Sequence, residues 1–588
     1  MAGRANVPIS EIDQSVRVPE FPGVYGGILI ASPKGPVDKP KLITNETDLL
    51  RFFTPDERVE VGFSSGFYSA IAFLESSDKL WVRRVENAAL HGGVMLTGDI
   101  SNPPTQTAFA LQTGELSPST FAFGSGATTW APSNSYTLND EVIPITPDGF
   151  VYRATVAGTS GSTEPTFPAT IPGTIDDNGI TWLAVGTTDE DLVLISGADP
   201  GVWNNDISIK VLTFETSPDV VKVTNAFTIE VFKGAESVEG PWLVSRELGK
   251  KDGFNQNLYI EDVLLQSIYI RAQNNDAIAD TIFPAEIVIA FGLASGTDGG
   301  AVSDSDFTTA LADFDTPLVP NLFILMDGGQ STVAFHNAMI TTCENRLDSS
   351  AILSVPFASN ALGTSGVLTY RNLTLNANTS YAAIYASHVQ IDDKFNNREI
   401  FVPPDGYVGA VISRSALNAE VWFPPAGFRR GVIRVKDLQV RWSDPDMDIL
   451  YDAEVNPIRF AEGRGITVWG QKTLLTIPSK LDRLHVRLLL QVVKPAISDA
   501  LENFLFEVND SDTRAFIERI LESFLGDIGS RRGLKDFSVV CNGTNNSEFD
   551  EDNNILNCWI YLKPFGSVED LPTKLIITSS GAELSLGT

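Results

Sequence analysis

The stretch Gly463–Leu474, GRGITVWGQKTL, decides how the last third of the chain is interpreted. Two segments with helical periodicity follow it. In His485–Leu505 the apolar residues recur at three- and four-residue steps, and Pro495 predicts a kink or a break there. The second segment, Phe516–Ile528, has the same periodicity. This part of the chain is therefore predicted to contain two amphipathic helices.

Two apolar strands are predicted after the helices. Phe537–Cys541 and Ile555–Leu562 flank an acidic loop, which is typical of an antiparallel pair. Such a pair is marginally stable alone and leaves its edges unpaired. Both ends of the chain contain alternating segments that could add strands to it. The residues expected to pair between subunits are Ile12, Val16, Val18, Leu575 and Ile577.

Composition excludes several classes of protein. A chain of 588 residues should form about three or four domains. The net charge of −32 disfavours binding to nucleic acid and to anionic membranes. No apolar run is long enough to cross a bilayer, and the N-terminus lacks the apolar core of a secretory signal. Three cysteines form neither a disulfide framework nor a zinc pattern, so synthesis in a reducing cytoplasm and no cofactor are expected.

Residues 100–189 differ in amino-acid composition from the segments on either side. They are rich in Ser, Thr, Gly and Pro and predict short strands separated by turns. The segment resembles small β modules of phage and carbohydrate-active proteins, in which aromatic rings stack on sugars. The same rings could instead form the core of a small domain. The aromatic residues in question are Trp130, Tyr136, Tyr152 and Trp182.

Sequence signals for an enzyme are weak. Gly62–Gly66 fits the GxSxG pattern of a nucleophile elbow, but only a short, charged strand could precede it. None of the four histidines has a supporting motif. Asp444–Asp448 imitates a calcium loop, but Ile449 and Val455 stand where glycine and glutamate are needed. Neither a Walker A sequence nor GxGxxG occurs, so no enzymatic activity is expected.

Several motifs occur in the order found in contractile phage tail sheath proteins. They include the turn Pro200–Asn204, the turn Phe423–Gly427 and, in the C-terminal part, Trp469, Gly470, Lys472 and Thr473. The chain resembles this family, which also covers contractile bacteriocins and type VI secretion sheaths, over nearly its whole length except about residues 100–190. Each motif alone is weak, and their order carries the resemblance.

The resemblance implies a mixed α+β multidomain fold that combines α/β and β-rich domains, an all-β insertion and a C-terminal α+β domain. The sheet of that last domain would be completed by terminal arms. The implied domains are an N-terminal arm (1–22), a first sheath segment (23–95), the inserted outer module (100–189), a β-rich domain (190–290), an α/β domain (291–462), the inner C-terminal domain (463–572) and a C-terminal arm (573–588).

The resemblance also implies a structural virion protein. Its copies would form stacked hexameric rings around a tail tube, assembled in the host cytoplasm, and would contract to drive the tube through the host envelope. The implied partners are other copies, the tube protein, and baseplate and tail terminator proteins, with neither nucleic acid nor membrane insertion. The alternative is a carbohydrate-binding tail-fibre or tail-surface adhesion protein that uses the inserted module. Cys541 and Cys558 are expected to be neighbouring free thiols.

Overall fold

A mixed sheet of nine strands organises the molecule in a computed structural model. The structure describes residues 21–98, 107–112, 128–146, 150–168, 173–186, 190–212, 223–276, 278–280, 283–284, 286–315, 319–569 and 572. The strands of this central sheet are, in spatial order, Lys41–Ile43, Leu80–Val85, Tyr25–Ala31, Leu322–Met326, Ser350–Ser354, Ala382–Ala386, Val455–Ala461, Gly465–Val468 and Val432–Ile433. The six from Leu80–Val85 to Val455–Ala461 are parallel.

Helices cover both faces of the central sheet, as the apolar character of its middle strands requires. Ile324 faces one core and Leu325 the other, since side chains alternate along a strand. The helices on the first face are Gly66–Leu74, Asp405–Asn418 and Leu484–Glu502. Those on the second face are Asp304–Leu311, Val333–Arg346, Gly363–Thr369 and Asp444–Asp452. The mixed α+β multidomain fold expected from the sequence is confirmed.

The central sheet joins distant parts of the chain. Tyr25–Ala31 pairs in parallel with Leu322–Met326, so the segments 23–95 and 291–462 share one sheet. The sequence had assigned these segments to separate domains, and those domain boundaries remain predictions. Shorter elements complete this region: helices Glu46–Phe53, Ala312–Phe314, Phe357–Ala361, Tyr370–Leu375, Gly427–Arg430 and Lys480–Asp482, and strands Val389–Asp393, Arg398–Val402 and Asp437–Leu438.

Two four-stranded antiparallel sheets pack together over a separate core. The first contains Ile270–Asn274, Glu190–Gly197, Leu90–Gly98 and Thr107–Gln112, in that order. The second contains Glu236–Val244, Phe227–Lys233, Ile207–Leu212 and Ile287–Gly292. Helices Val202–Asp206 and Ile260–Leu264 lie beside them. This is the β-rich part of the molecule.

A small β module is inserted in the first of these two sheets. It follows the strand Thr107–Gln112 and precedes Glu190–Gly197. Its five-stranded sheet contains Thr174–Asp177, Ile180–Gly186, Val151–Ala154, Glu141–Ile143 and Thr128–Thr129, with a second pair of Gly158–Thr159 and Ser135–Tyr136. The module has its own hydrophobic core.

Two long helices and a strand pair form the C-terminal part. The helices are Leu484–Glu502 and Ser511–Ser530, the second capped by the Asp510 side chain. Pro495 lies inside the first helix and does not end it. Burial of Leu488, Leu489 and Val493 on the helix face offsets the lost hydrogen bond, which costs about 3 kcal/mol.

The strands of this part are Leu534–Val540 and Trp559–Pro564, which we call the C-terminal ribbon. The second strand begins later than the sequence predicts, because the acidic loop contains its own short helix, Glu548–Asp552. Among the described residues, no helix is long and apolar enough to cross a membrane.

Candidate functional site: the Trp469–Leu474 segment and the C-terminal ribbon

The segment Trp469–Leu474 closes against the end of the central sheet. Asn456 accepts a hydrogen bond from the Lys472 amide (2.6 Å) and donates to the Lys472 carbonyl (2.7 Å) and the Ile384 carbonyl (3.1 Å). Gly470 allows this approach, because a Cβ there would lie 2.6 Å from the Asn456 Oδ1 atom. Glycine at this position therefore has a packing reason.

The rest of the segment fixes the first long helix. The Gln471 carbonyl accepts from the Leu484 amide at 2.7 Å, and Thr473 Oγ1 donates to the Leu481 carbonyl at 2.9 Å. Lys472 Nζ donates to the Tyr451 carbonyl at 2.6 Å. The Gln471 carbonyl, the Thr473 hydroxyl and the Lys472 ammonium group are thus all hydrogen-bonded within the protein. The segment therefore joins the sheet to the helix Leu484–Glu502.

Trp469 borders an open cleft of about 440 Å³. The Arg459 guanidinium lies 4.5 Å from the Trp469 ring, and the Phe428 ring lies 5.1 Å from it. Glu569 and Tyr451 also line the cleft, and the Tyr451 hydroxyl donates a hydrogen bond to the Glu569 carboxylate at 3.0 Å. Within the described part of the chain, no group of three potential metal ligands occurs here or elsewhere.

The C-terminal ribbon has one face toward the helices and one toward solvent. Val539 is buried, and Phe537, Ile560 and Leu562 are partly buried against the helical core. The other face exposes Trp559 and Tyr561, whose side chains are 52% and 57% accessible. Among the described residues, the ribbon pairs with no further strand. Its two edges are thus available for main-chain hydrogen bonds.

The residues expected to pair with those edges lie outside the described residues. They are Ile12, Val16, Val18, Leu575 and Ile577. Their pairing stays a prediction.

Two cysteines lie at the open end of the ribbon. Cys541 follows Val540 and Cys558 precedes Trp559, which are the last paired residues of the ribbon, and both cysteines are free thiols. A hydrogen bond from Cys558 lowers the pKa of Cys541, and the same bond raises the pKa of Cys558. The third cysteine, Cys343, is buried, and burial raises its pKa to about 12.

The four aromatic residues of the inserted module all point into its core. Trp130 is 3% exposed, Tyr136 5%, and Tyr152 and Trp182 0%. Both indole Nε1 atoms donate to the Asp177 carboxylate, at 2.9 Å from Trp130 and 3.1 Å from Trp182. Stacking on a sugar needs an exposed ring face, and these rings have none. Their placement fits the interpretation that they form the core of a small domain.

The GxSxG segment has no histidine beside it. Ser64 Oγ accepts from the Gly66 amide at 3.2 Å, and the described residues 54–61, just before the turn, form no strand. His336 is fully buried between Asp327 (3.2 Å) and the Tyr370 hydroxyl (2.7 Å).

The other three histidines are also occupied elsewhere. His91, His388 and His485 hydrogen-bond to Gly197, Asn360 and Gln471, respectively. Burial lowers the pKa of both His91 and His388 to about 4. Among the described residues, Ser64 therefore has no hydrogen bond to a histidine that could act as its base.

Comparisons with known proteins give one consistent kind of relative. The chain is 35% identical over 212 residues to the tail sheath protein of Vibrio phage KVP40, covering 36% of this chain and 32% of that protein. It is 25% identical over 362 residues to the tail sheath protein of Enterobacteria phage T4, covering 58% and 54%. The matches thus span about half or less of these relatives. No family model matches the chain.

One solved structure is similar in fold to nearly the whole chain. The sheath tail protein of Listeria innocua superposes with a TM-score of 0.52 at 11% identity, covering 93% of this chain and 96% of that one. At this identity the comparison shows a shared fold.

Proposed function

We propose that this chain, a relative of the phage tail sheath proteins, is the subunit of a contractile tail sheath. Copies would stack as hexameric rings around a tail tube, and contraction would drive the tube through the host envelope. The observation that carries the proposal is the 362-residue similarity to the T4 tail sheath protein. The shared fold with the Listeria innocua protein supports it.

The proposed role is structural, without enzymatic activity. The subunit would be assembled in the host cytoplasm and would become part of the virion tail. Its partners would be other copies, the tube protein, and the baseplate and tail terminator proteins. Each of the four histidines is buried and hydrogen-bonds to a group other than Ser64, which favours this role over a hydrolase.

The open ribbon supports a specific way of linking subunits. A terminal arm from another copy could add a strand to either edge of the C-terminal ribbon. Five main-chain hydrogen bonds at about 1 kcal/mol net each would contribute roughly 5 kcal/mol per strand. Such a link would hold neighbours together while the remaining interfaces repack. Contraction would then be the relaxation of one packed lattice into a better-packed one, without nucleotide.

Removal of the N-terminal arm tests this linkage. A variant lacking residues 2–20 should fold and remain soluble but form no tubes, because the added strand is missing. Negative-stain electron microscopy and sedimentation compare it with the full chain. Tubes of normal length from the truncated protein would contradict the arm-exchange proposal.

Replacement of the inserted module provides the matched control. Residues 113–189, which separate the host strands Thr107–Gln112 and Glu190–Gly197, would be exchanged for a short Gly/Ser linker, a change larger than the arm deletion. We expect tubes to form, because the strands that the module joins, Thr107–Gln112 and Glu190–Gly197, are separated by a single strand of the host sheet and loop closure depends only weakly on length. Loss of tubes, with the rest still folded, would make the module part of the lattice.

A further inference from the structure

Positive charge is concentrated around the short helix Gly427–Arg430, although the whole chain carries a net charge of −32. Arg429, Arg434 and Arg464 are exposed, and none forms an ion pair with a described carboxylate. These three, together with Arg414, Arg430 and Arg532, are called the arginine cluster.

The members of the arginine cluster are true neighbours in space. The guanidinium groups of Arg430 and Arg532 lie 5.2 and 5.9 Å from the same Phe423 ring. The Arg464 guanidinium lies 4.9 Å from the Phe428 ring. Burial and, after it, the adjacent charge of Arg429 lower the pKa of Arg430. The cluster thus places several guanidinium groups beside aromatic rings, which suits an acidic partner with an aromatic side chain.

An acidic surface with an exposed aromatic side chain lies at the other end of the C-terminal ribbon. The helix Glu548–Asp552, EFDED, is called the acidic turn. Asp550 caps the helix with Ser547, and Glu551 pairs with Arg514. Glu548 and Asp552 are exposed, and neither forms an ion pair with a described cation. The Phe549 side chain between them is 73% exposed.

The two surfaces are too far apart to neutralise each other within one copy. Arg532 lies just before the strand Leu534–Val540, and the acidic turn lies beyond its far end. Seven residues of strand at about 3.3 Å each separate the two surfaces by roughly 20 Å. That distance exceeds two Debye lengths, about 8 Å each at physiological ionic strength. Within the described part of the chain, neither surface is therefore neutralised by the other.

We propose that the acidic turn of one copy docks on the arginine cluster of another copy. The inference rests on the proposed function and assigns one of its subunit contacts. Glu548 and Asp552 would face Arg429 and Arg464, and Phe549 would lie against a guanidinium group. Because the two surfaces differ and lie at opposite ends of the ribbon, the contact is head-to-tail and propagates into an open array.

Charge reversal tests the contact on the full-length chain. The cluster variant carries Arg429→Glu and Arg464→Glu, and the turn variant carries Glu548→Lys and Asp552→Lys. Each alone juxtaposes like charges, so the critical concentration for assembly should rise roughly tenfold or more. The control, Lys39→Glu with Lys251→Glu, changes two exposed lysines and alters the net charge as the cluster variant does. It should assemble like the wild type, as measured by sedimentation and negative-stain microscopy.

Mixing the two variants separates a specific contact from a general charge effect. In an equimolar mixture, the reversed cluster of one protein meets the reversed turn of the other, and the original surfaces also meet. Assembly should therefore return in the mixture, and in a single chain that carries all four substitutions.

Two results would overturn the inference. Normal assembly of either variant alone would do so, as would a mixture that stays unassembled. A cluster variant that assembles normally but no longer binds the tube protein would assign the arginine cluster to that partner. Failure of the wild type to form rings or tubes would instead remove the proposed function, and this contact with it.

Discussion

Asp177 should hold the inserted module together, and its replacement by alanine should unfold that module alone. Its carboxylate accepts from both buried indole groups, of Trp130 and Trp182, and from the Gly161 amide at 2.7 Å. Asp177 is 4% exposed, so water cannot replace the lost oxygens without entering the core. The variant leaves three donors unpaired.

The expected loss is comparable to the whole stability of the module. A buried donor left without a partner costs about 1–3 kcal/mol, so three cost about 3–9 kcal/mol. A module of about 60 residues is stable by roughly 3–9 kcal/mol. The module should therefore be largely unfolded in Asp177→Ala. In Asp177→Asn one oxygen acceptor is kept, so the loss of stability should be smaller.

Hydrogen–deuterium exchange of the full-length protein measures this effect by region. Peptides from 128–186 should lose protection in Asp177→Ala, while those covering Leu322–Met326 should keep it, since the two lie in different cores. Asp176→Ala is the matched control, because Asp176 accepts a single hydrogen bond from Gly179 in an exposed turn. Unchanged protection of the module in Asp177→Ala would refute the reasoning.

Three further predictions concern Lys34, Gly470 and the two cysteines of the ribbon. Burial lowers the pKa of Lys34 from 10.5 to about 8, so the folded state holds this proton more weakly than the unfolded chain. The free energy of unfolding should rise between pH 8 and 10.5 in the wild type, and urea titrations of Lys34→Met should lack that component. Gly470→Ala would force a Cβ against Asn456 and should destabilise the protein by about 1–3 kcal/mol, seen as a lower Tm. Alkylation and mass spectrometry without reductant should find Cys541 and Cys558 unlinked, and a cross-linked peptide would contradict this.

Local patterns predicted the elements of this fold better than their arrangement. The apolar run Leu322–Met326 is a fully buried strand, and Asp510 caps the helix that follows it in sequence, as its short polar side chain predicts. Caps and periodicity act over a few residues. The pairing of Leu322–Met326 with Tyr25–Ala31 depends on packing between segments almost 300 residues apart, which no local pattern encodes.

The same contrast between local pattern and three-dimensional arrangement applies to the functional surfaces. The run at Trp469–Leu474 was identified from sequence, but its role depends on Asn456, which the fold brings against Gly470. The arginine cluster was missed because its members come from separate segments around 414, 430, 464 and 532. One signal was available: arginine recurs between 429 and 464 in a strongly acidic chain.

The C-terminal ribbon gathers groups for which the described residues provide no partner. Along its length run two main-chain edges that no described strand covers. Its outer face carries exposed Trp559 and Tyr561, and opposite charges lie at its two ends. Unpaired edges and exposed aromatic rings are normally protected in a protein that functions alone. Their concentration on one strip about 20 Å long supports the proposal that other copies cover this strip during assembly.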